Sequence, residues 1–355
     1  MQFLRRFSVV SLTLLLLMLV LTACGSAATS GTQAEGSSTQ NGHTVKLTLA
    51  AYSTPAEAYA KIIPLFKDYW MKEKGVQVEI EESYGGSGSQ SKAVEGGLEA
   101  DVVALSLEND VTRLVNANLI THDWKANDYG GMVTTSYAVI VVRSGNPKDI
   151  QDWADLAKDG VEVLTPDPAT SGGAQWNVMA AYGAADRGHV EGFSSGEDFL
   201  RALYTNVSIM DKDARTSITN YETGIGDAAI TYENEYFAGK ASGADYEAIY
   251  PSSTILIENP VAVVDVYSDK HGTTEVAQAF VDFLYRPEAQ AAFTEIGYRP
   301  PVNVTTGEQA AVDESKFPAV KDVFTIADYG GWAEVGPKFF GDDGIFTKLI
   351  AEIKG

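Results

Sequence analysis

An α/β fold of two lobes is what this sequence predicts, on three observations. Short apolar stretches alternate with amphipathic ones from Thr44 onward, the alternation runs through two successive cycles, and a late apolar strand precedes a helical C-terminal stretch. That pattern argues for α/β layers with a largely parallel sheet.

In order, residues 45–51 (Val-Lys-Leu-Thr-Leu-Ala-Ala) read as a strand, residues 55–74 as a helix and residues 76–81 as a second strand. The glycine turn Gly85-Gly86-Ser87-Gly88 opens a helix over 89–98, and a strand over 101–105 and a helix over 111–118 come after it. Residues 137–143 (Tyr-Ala-Val-Ile-Val-Val-Arg) form a long apolar strand that Gly145-Asn146-Pro147 stops. The second cycle runs through a helix over 150–157, a strand over 161–164 and the loop Pro166-Asp167-Pro168-Ala169-Thr170-Ser171-Gly172-Gly173, which opens a helix over 174–185. A helix over 196–204 and strands over 207–210, 227–232 and 260–265 come next, with helices dominating from Glu275 to the end. Two strands therefore cross between lobes, near Tyr137 and Val261. One lobe is expected to comprise residues 44–136 and 262–355, the other residues 137–261, with a cleft between them as the place for a small molecule.

Arg5 and Arg6 precede an apolar run that ends at Leu21-Thr22-Ala23-Cys24-Gly25. This reads as a signal peptide over residues 1–23 with a lipoprotein-type cleavage site, its apolar stretch short for a spanning helix. Cys24 is the only cysteine, so an internal disulfide framework and a Cys-based metal site are excluded, and the thiol is best used as a lipid attachment point. Residues 24–43 are, apart from Cys24, Asn41 and His43, Ser, Thr, Gly, Gln and Ala with one Glu, which reads as a flexible leash that cannot bury enough apolar surface to order itself. The chain is expected to sit outside the cytoplasm, lipid-anchored to a bacterial cell membrane, as a monomer.

The net charge is −22, with 48 acidic against 26 basic residues, and cleavage removes two of the arginines. Nucleic acid is thereby excluded as a partner. The same surface repels an anionic ligand at long range, over a field that salt screens within roughly 8–10 Å. An anion site in this chain has to act through short-range donors.

Catalytic signatures are missing. The four histidines, His43, His122, His189 and His271, are scattered without metal-ligand spacing. Gly85-Gly86-Ser87-Gly88-Ser89 ends in serine where a nucleophile elbow needs glycine, and neither a dinucleotide fingerprint nor a Walker sequence is present. No enzyme activity, metal or cofactor is expected. The remaining candidates are donors: Ser87 and Ser171 each sit in a glycine turn just before a helix, where unpaired N–H groups and the positive dipole end face whatever binds. Either turn alone is also what an ordinary loop-to-helix cap looks like, and it is the pair that points to a site.

The segments Tyr84-Gly85-Gly86-Ser87-Gly88-Ser89-Gln90, Gly145-Asn146-Pro147-Lys148, Thr165-Pro166-Asp167-Pro168-Ala169-Thr170-Ser171-Gly172-Gly173-Ala174-Gln175-Trp176-Asn177, Tyr232-Glu233-Asn234-Glu235 and Tyr298-Arg299-Pro300 closely resemble the periplasmic sulfate/thiosulfate-binding proteins of ABC importers. The likeness runs over nearly all of the chain beyond the leash. It implies the two-lobed type II periplasmic binding protein fold with two hinge crossings, and capture of a dehydrated oxyanion by neutral donors. Mapped onto this sequence, the resemblance implies that the hydroxyls of Ser87 and Ser171 and the N–H groups of Gly172 and Gly173 grip the oxygens. Ser53 and Ala214 fall at backbone donors, and Arg215 braces its loop from behind. Tyr232 falls where familiar members carry a tryptophan whose indole donates; a phenol also donates, and in addition accepts. The expected partners are sulfate or thiosulfate and the membrane subunits of an importer, with molybdate or phosphate as the rival ligand and an extracellular ester hydrolase as the remote alternative.

Overall fold

The computed structural model describes residues 44–354, so the expected signal peptide, Cys24 and the leash lie outside the described residues. The first cycle comprises β1 (Thr44–Tyr52), α1 (Ala56–Lys74), β2 (Gln77–Gly85), α2 (Ser87–Glu95), β3 (Val102–Ala104) and α3 (Glu108–Asn116). The long strand β4 (Met132–Arg143) leads to β5 (Val163–Pro166), α4 (Gly172–Asp186), α5 (Gly196–Thr205), β6 (Val207–Asp211) and α6 (Ala214–Glu222). Then come β7 (Ala228–Tyr232), α7 (Glu233–Ala241), β8 (Tyr246–Ile249) and a second long strand, β9 (Ser253–Val263). The remainder holds α8 (Asp265–His271), α9 (Thr274–Phe283), α10 (Pro287–Ile296), β10 (Asp322–Phe324), α11 (Trp332–Val335) and α12 (Ile345–Lys354).

The strands lie in the order β2-β1-β3-β9-β4-β7-β5-β6, with β10 also on β9 and β8 also on β4. The sheet is mixed, not largely parallel. β1 runs parallel to β2 and β3, and β5 parallel to β6 and β7, but every pairing among β3, β9, β4 and β7 is antiparallel. The reason lies in β4 and β9, which traverse the molecule in opposite directions side by side. Tyr137 is the last residue of β4 to face β9 and Ala138 the first to face β7. On β9, Pro260 is the last to face β4 and Val261 the first to face β3. These partner switches occur at the two positions where the sequence calls for crossings.

Several local elements differ from expectation. The helix expected over 150–157 is a short 3₁₀ turn, Trp153–Ala157, because the Asn146 side chain ties both backbone groups of Ile150 into a turn and Asp152 caps the residues after it. α6, α7 and β8 were not foreseen. α6 (Ala-Arg-Thr-Ser-Ile-Thr-Asn-Tyr-Glu) has almost no apolar period, and its start is set by Asp213, whose carboxylate accepts from Thr216 N at 2.8 Å. Residues 297–321 are largely irregular, so helices do not dominate the whole C-terminal stretch.

One hydrophobic core extends to both sides of the crossing strands. On one side α1 turns Tyr59, Ile62, Phe66 and Trp70 inward at helical spacing, and Phe66 meets Phe280 and Phe283 of α9 with ring centroids 5.0 and 5.6 Å apart. On the other, α4 is buried almost all round. Its cover comes from the far C-terminus: Trp332 packs edge-on against Trp176 at 4.6 Å, Phe339 against Tyr182 at 4.7 Å and Phe346 against Tyr204 of α5 at 4.7 Å. The tail from β10 onward thus seals α4 and α5, whereas the sequence pattern places all of 262–355 in the first lobe. Gly183 allows this approach, since a Cβ there would lie 2.3 Å from Phe324 Cζ. Gly183→Ala is expected to destabilise the protein by about 1–3 kcal/mol through overpacking, measured as a lowered midpoint of urea unfolding.

Candidate anion-binding site

A small cavity lies where the two halves of the sheet meet. Of the predicted residues, Ser53, Ser87, Ser171, Gly173, Ala214 and Tyr232 line it. Gly172 begins α4 beside them and faces the chain after β3, where a Cβ would lie 2.8 Å from Leu107 Cγ. Residues far apart in sequence are therefore brought to one point.

The way they arrive is regular. Ser53 follows β1 and precedes α1, while Gly86 and Ser87 follow β2 and open α2. Ser171 caps α4, Ala214 begins α6 after β6, and Tyr232 ends β7 as the cap of α7. Five helices thus present their N-terminal ends to one cavity, each bringing unpaired N–H groups and the positive end of its dipole. Among the described residues no lysine or arginine lines it.

The glycines set how close the halves come. A Cβ on Gly86 would lie 2.4 Å from Thr170 O, so only glycine lets the turn before α2 rest on the loop before α4. Ser89 N donates to that same oxygen at 3.3 Å.

The hydroxyls differ in what they have left to give. Ser171 Oγ accepts from Ala174 N at 3.3 Å and finds no acceptor for its own hydrogen among the described residues, so that hydrogen is available to a ligand. Ser87 Oγ accepts from Ser106 N at 2.9 Å and donates to Asp110 Oδ2 at 2.5 Å. Burial pushes the Asp110 carboxyl up to about 6, against the opposing pull of Ser87. A proton on Asp110 would free the Ser87 hydrogen for the cavity. Tyr232 is fully buried; desolvation raises its phenol well above the ordinary range, which keeps the hydrogen on. Its OH lies 2.6 Å from Ser106 Oγ.

Arg215 reaches further than bracing its own loop. Its guanidinium holds Glu57 of α1 through both carboxylate oxygens and Glu235 of α7 at 2.9 Å, so it ties α6 to both neighbours. Behind Tyr232, the Arg299 guanidinium binds both oxygens of buried Glu233 at 2.7 and 2.8 Å and lies 4.2 Å from the Tyr137 ring. This pair fixes the start of α7 against the 298–300 segment.

Sequence reasoning missed Ser106, Asp110 and Tyr52. Ser106 and Tyr52 both stand at the C-terminal ends of strands, β3 and β1, which is where ligands gather in α/β sheets. That positional signal was in the sequence. Asp110 lies inside a helix with nothing to mark it. Among the described residues no three of His, Cys, Asp and Glu cluster as a metal ion would need, and no helix is long and apolar enough to cross a membrane.

A cleft-side cavity of this kind, in an α/β fold with two crossing strands, defines a solute-binding protein. The chain belongs to the family described as bacterial extracellular solute-binding protein, whose profile matches residues 47–299. Its relatives include the sulfate-binding protein of Synechococcus elongatus, 43% identical over 330 residues that make up 92% of this chain and 93% of that one. A thiosulfate-binding protein of Pseudomonas aeruginosa is 33% identical, covering 85% of this chain and 91% of its own. Among solved structures, the sulfate-binding protein SubI from Mycobacterium tuberculosis superposes with a TM-score of 0.75 at 37% identity, over 83% of this chain and 99% of that one.

The Glu233–Arg299 pair gives a stability test. Arg299→Met leaves a buried carboxylate without its partner and is expected to destabilise by about 3–5 kcal/mol, whereas adding Glu233→Gln restores a substantial part; equilibrium urea unfolding of the three variants reads both.

Proposed function

We propose that this chain is the capture component of an ABC importer, which takes sulfate from outside the cytoplasm into the cavity between its lobes and delivers it to the membrane subunits. The observation that carries this reading is the convergence of five helix N-termini and the Ser171 hydroxyl on one cavity without a cationic side chain. The higher identity to a sulfate-binding than to a thiosulfate-binding relative, 43% against 33%, favours sulfate over thiosulfate.

Chemistry supports the choice. Sulfate at neutral pH is made of acceptors only, and a lining of N–H and O–H groups satisfies it throughout. Hydrogen phosphate carries one hydrogen, which would meet another donor, and a buried donor without an acceptor costs about 1–3 kcal/mol. Each hydrogen bond to a charged group contributes roughly 1.5–3 kcal/mol, so on the order of seven exceed the ~8 kcal/mol of micromolar binding even after ordering and desolvation. In this reading the ligands are the hydroxyls of Ser171 and Tyr232, with Ser87 joining when Asp110 is protonated, and the N–H groups of Ser53, Gly172, Gly173 and Ala214. No group is asked to act as nucleophile or base, and the protein is a carrier, not an enzyme.

The first lobe carries residues 44–136 and the segment after 262, the second residues 137–261, with the C-terminal tail lying on the second. Donors come from both, so only the closed form completes the shell. Contacts already formed across the cleft support reading this conformation as closed: Trp176 Nε1 donates to Ser106 O at 2.8 Å, and Arg215 grips Glu57. Cys24, after removal of residues 1–23, carries the lipid that tethers the protein, and residues 24–43 give it reach.

Titration calorimetry of the sulfate-free protein is the direct test. Ser171→Ala is expected to weaken sulfate binding about tenfold or more; an unchanged affinity would remove Ser171 from the site. Glu57→Gln opens only a partly exposed ion pair, so it should weaken binding by no more than about fivefold. That effect should also fade as salt is raised toward 1 M.

A further inference from the structure

We propose that Ser106 belongs to the binding site, where its hydroxyl and that of Tyr232 act across the cleft as one donor to the bound anion. This rests on the sulfate reading and names a residue that it does not contain.

The argument is a count of hydrogens. Ser106 and Tyr232 both line the cavity, both are 0% exposed, and their oxygens are 2.6 Å apart. Two hydroxyls carry two hydrogens, and the bond between them uses one. No other acceptor for the second exists among the described residues, where the only hydrogen bond of either hydroxyl is the one between them. A buried hydroxyl hydrogen left without an acceptor is destabilising. The cavity's occupant must therefore present an acceptor there, with no hydrogen on that face.

Ser106 is held firmly in this position. Its N–H donates to Ser87 Oγ at 2.9 Å, and its carbonyl accepts from Trp176 Nε1 at 2.8 Å. A Cβ on Gly172 would meet Ser106 Oγ at 3.0 Å, so the serine is wedged against the start of α4. Ser106 follows β3 and Tyr232 ends β7, so the pair joins the two halves of the sheet and forms only when they meet. Either oxygen can be the donor within the pair, so the free hydrogen is supplied from either half.

The two residues are then redundant toward the anion but not toward each other. Removing one hydroxyl frees the hydrogen of the other for the ligand; removing both leaves that face without a donor. The test is a double-mutant cycle on the full chain, titrating sulfate into wild type, Ser106→Ala, Tyr232→Phe and the double variant. Each single change is expected to weaken sulfate by about two- to tenfold, the worth of one ordinary hydrogen bond. The double should fall roughly tenfold or more beyond the product of the single losses, as a charge-assisted bond disappears. A double loss equal to that product, or no larger than that of Tyr232→Phe alone, overturns the pair while leaving the sulfate reading intact. A wild-type protein that takes up no sulfate overturns both. Thermal melting without sulfate confirms that each variant is folded, and Ser106→Gly replaces Ser106→Ala in the same cycle if the alanine variant is not.

Discussion

The unpaired N–H groups at the start of an α-helix are the interaction on which this molecule is built. Every helix leaves such groups at its N-terminus, and in most proteins water or a capping side chain absorbs them. Here five helices aim them at a single small cavity. In a chain of net charge −22, fixed dipoles of this kind hold an anion at short range without adding a mobile cation that would need its own counter-charge. The Arg215 guanidinium illustrates the alternative. It stands beside Ala214, yet two carboxylates engage it, and its charge is spent on joining helices.

The rest of the fold answers the need to bring those helix ends together from both directions. Within each half, parallel strands deliver their helices' N-termini to the C-terminal edge of the sheet. Two such edges face each other only if the halves are joined head to head, which the antiparallel pair β4 and β9 accomplishes. That is why the sheet is mixed in its middle and parallel at its ends. The arrangement also explains why closing brings backbone to backbone. Gly86 against Thr170 O and Gly172 against Leu107 are contacts that a single methyl group would hold apart.

Much of this was legible in the sequence where local chemistry decides the structure. Apolar strands such as residues 137–143 announce themselves, and glycine turns before helices at Ser87 and Ser171 mark donor clusters. The illegible parts depended on tertiary partners. α6 forms from a polar stretch because Asp213 caps it and Ile218 and Tyr221 find a pocket. β9 begins at Ser253 instead of near Pro260 because β10 lies alongside to pair with residues 253–255 and β4 with residues 256–260. The C-terminal helices carry apolar faces, but nothing in them states that the face belongs against α4. Ser106 was the instructive omission. A lone serine after a short strand has no motif beyond its place at the strand's C-terminal end, and its hydroxyl finds its partner 126 positions away.

A phenol at Tyr232, where the family resemblance leads one to expect an indole, gives the site a different character. An N–H can only donate, whereas a phenol brings an oxygen that must also be satisfied when buried. Tyr232 meets that requirement through Ser106, which lies across the cleft at 2.6 Å. Satisfying the phenol once it is buried therefore requires the two halves of the sheet to be in contact, so closure and the Ser106 bond occur together. Ser87 makes the same point from the other side: it takes its hydrogen bond from Ser106 N and passes its own to Asp110, so three residues of the first half are oriented by the same segment after β3. That segment carries no recognisable motif, yet it sets the direction of hydroxyl groups on both walls of the cavity.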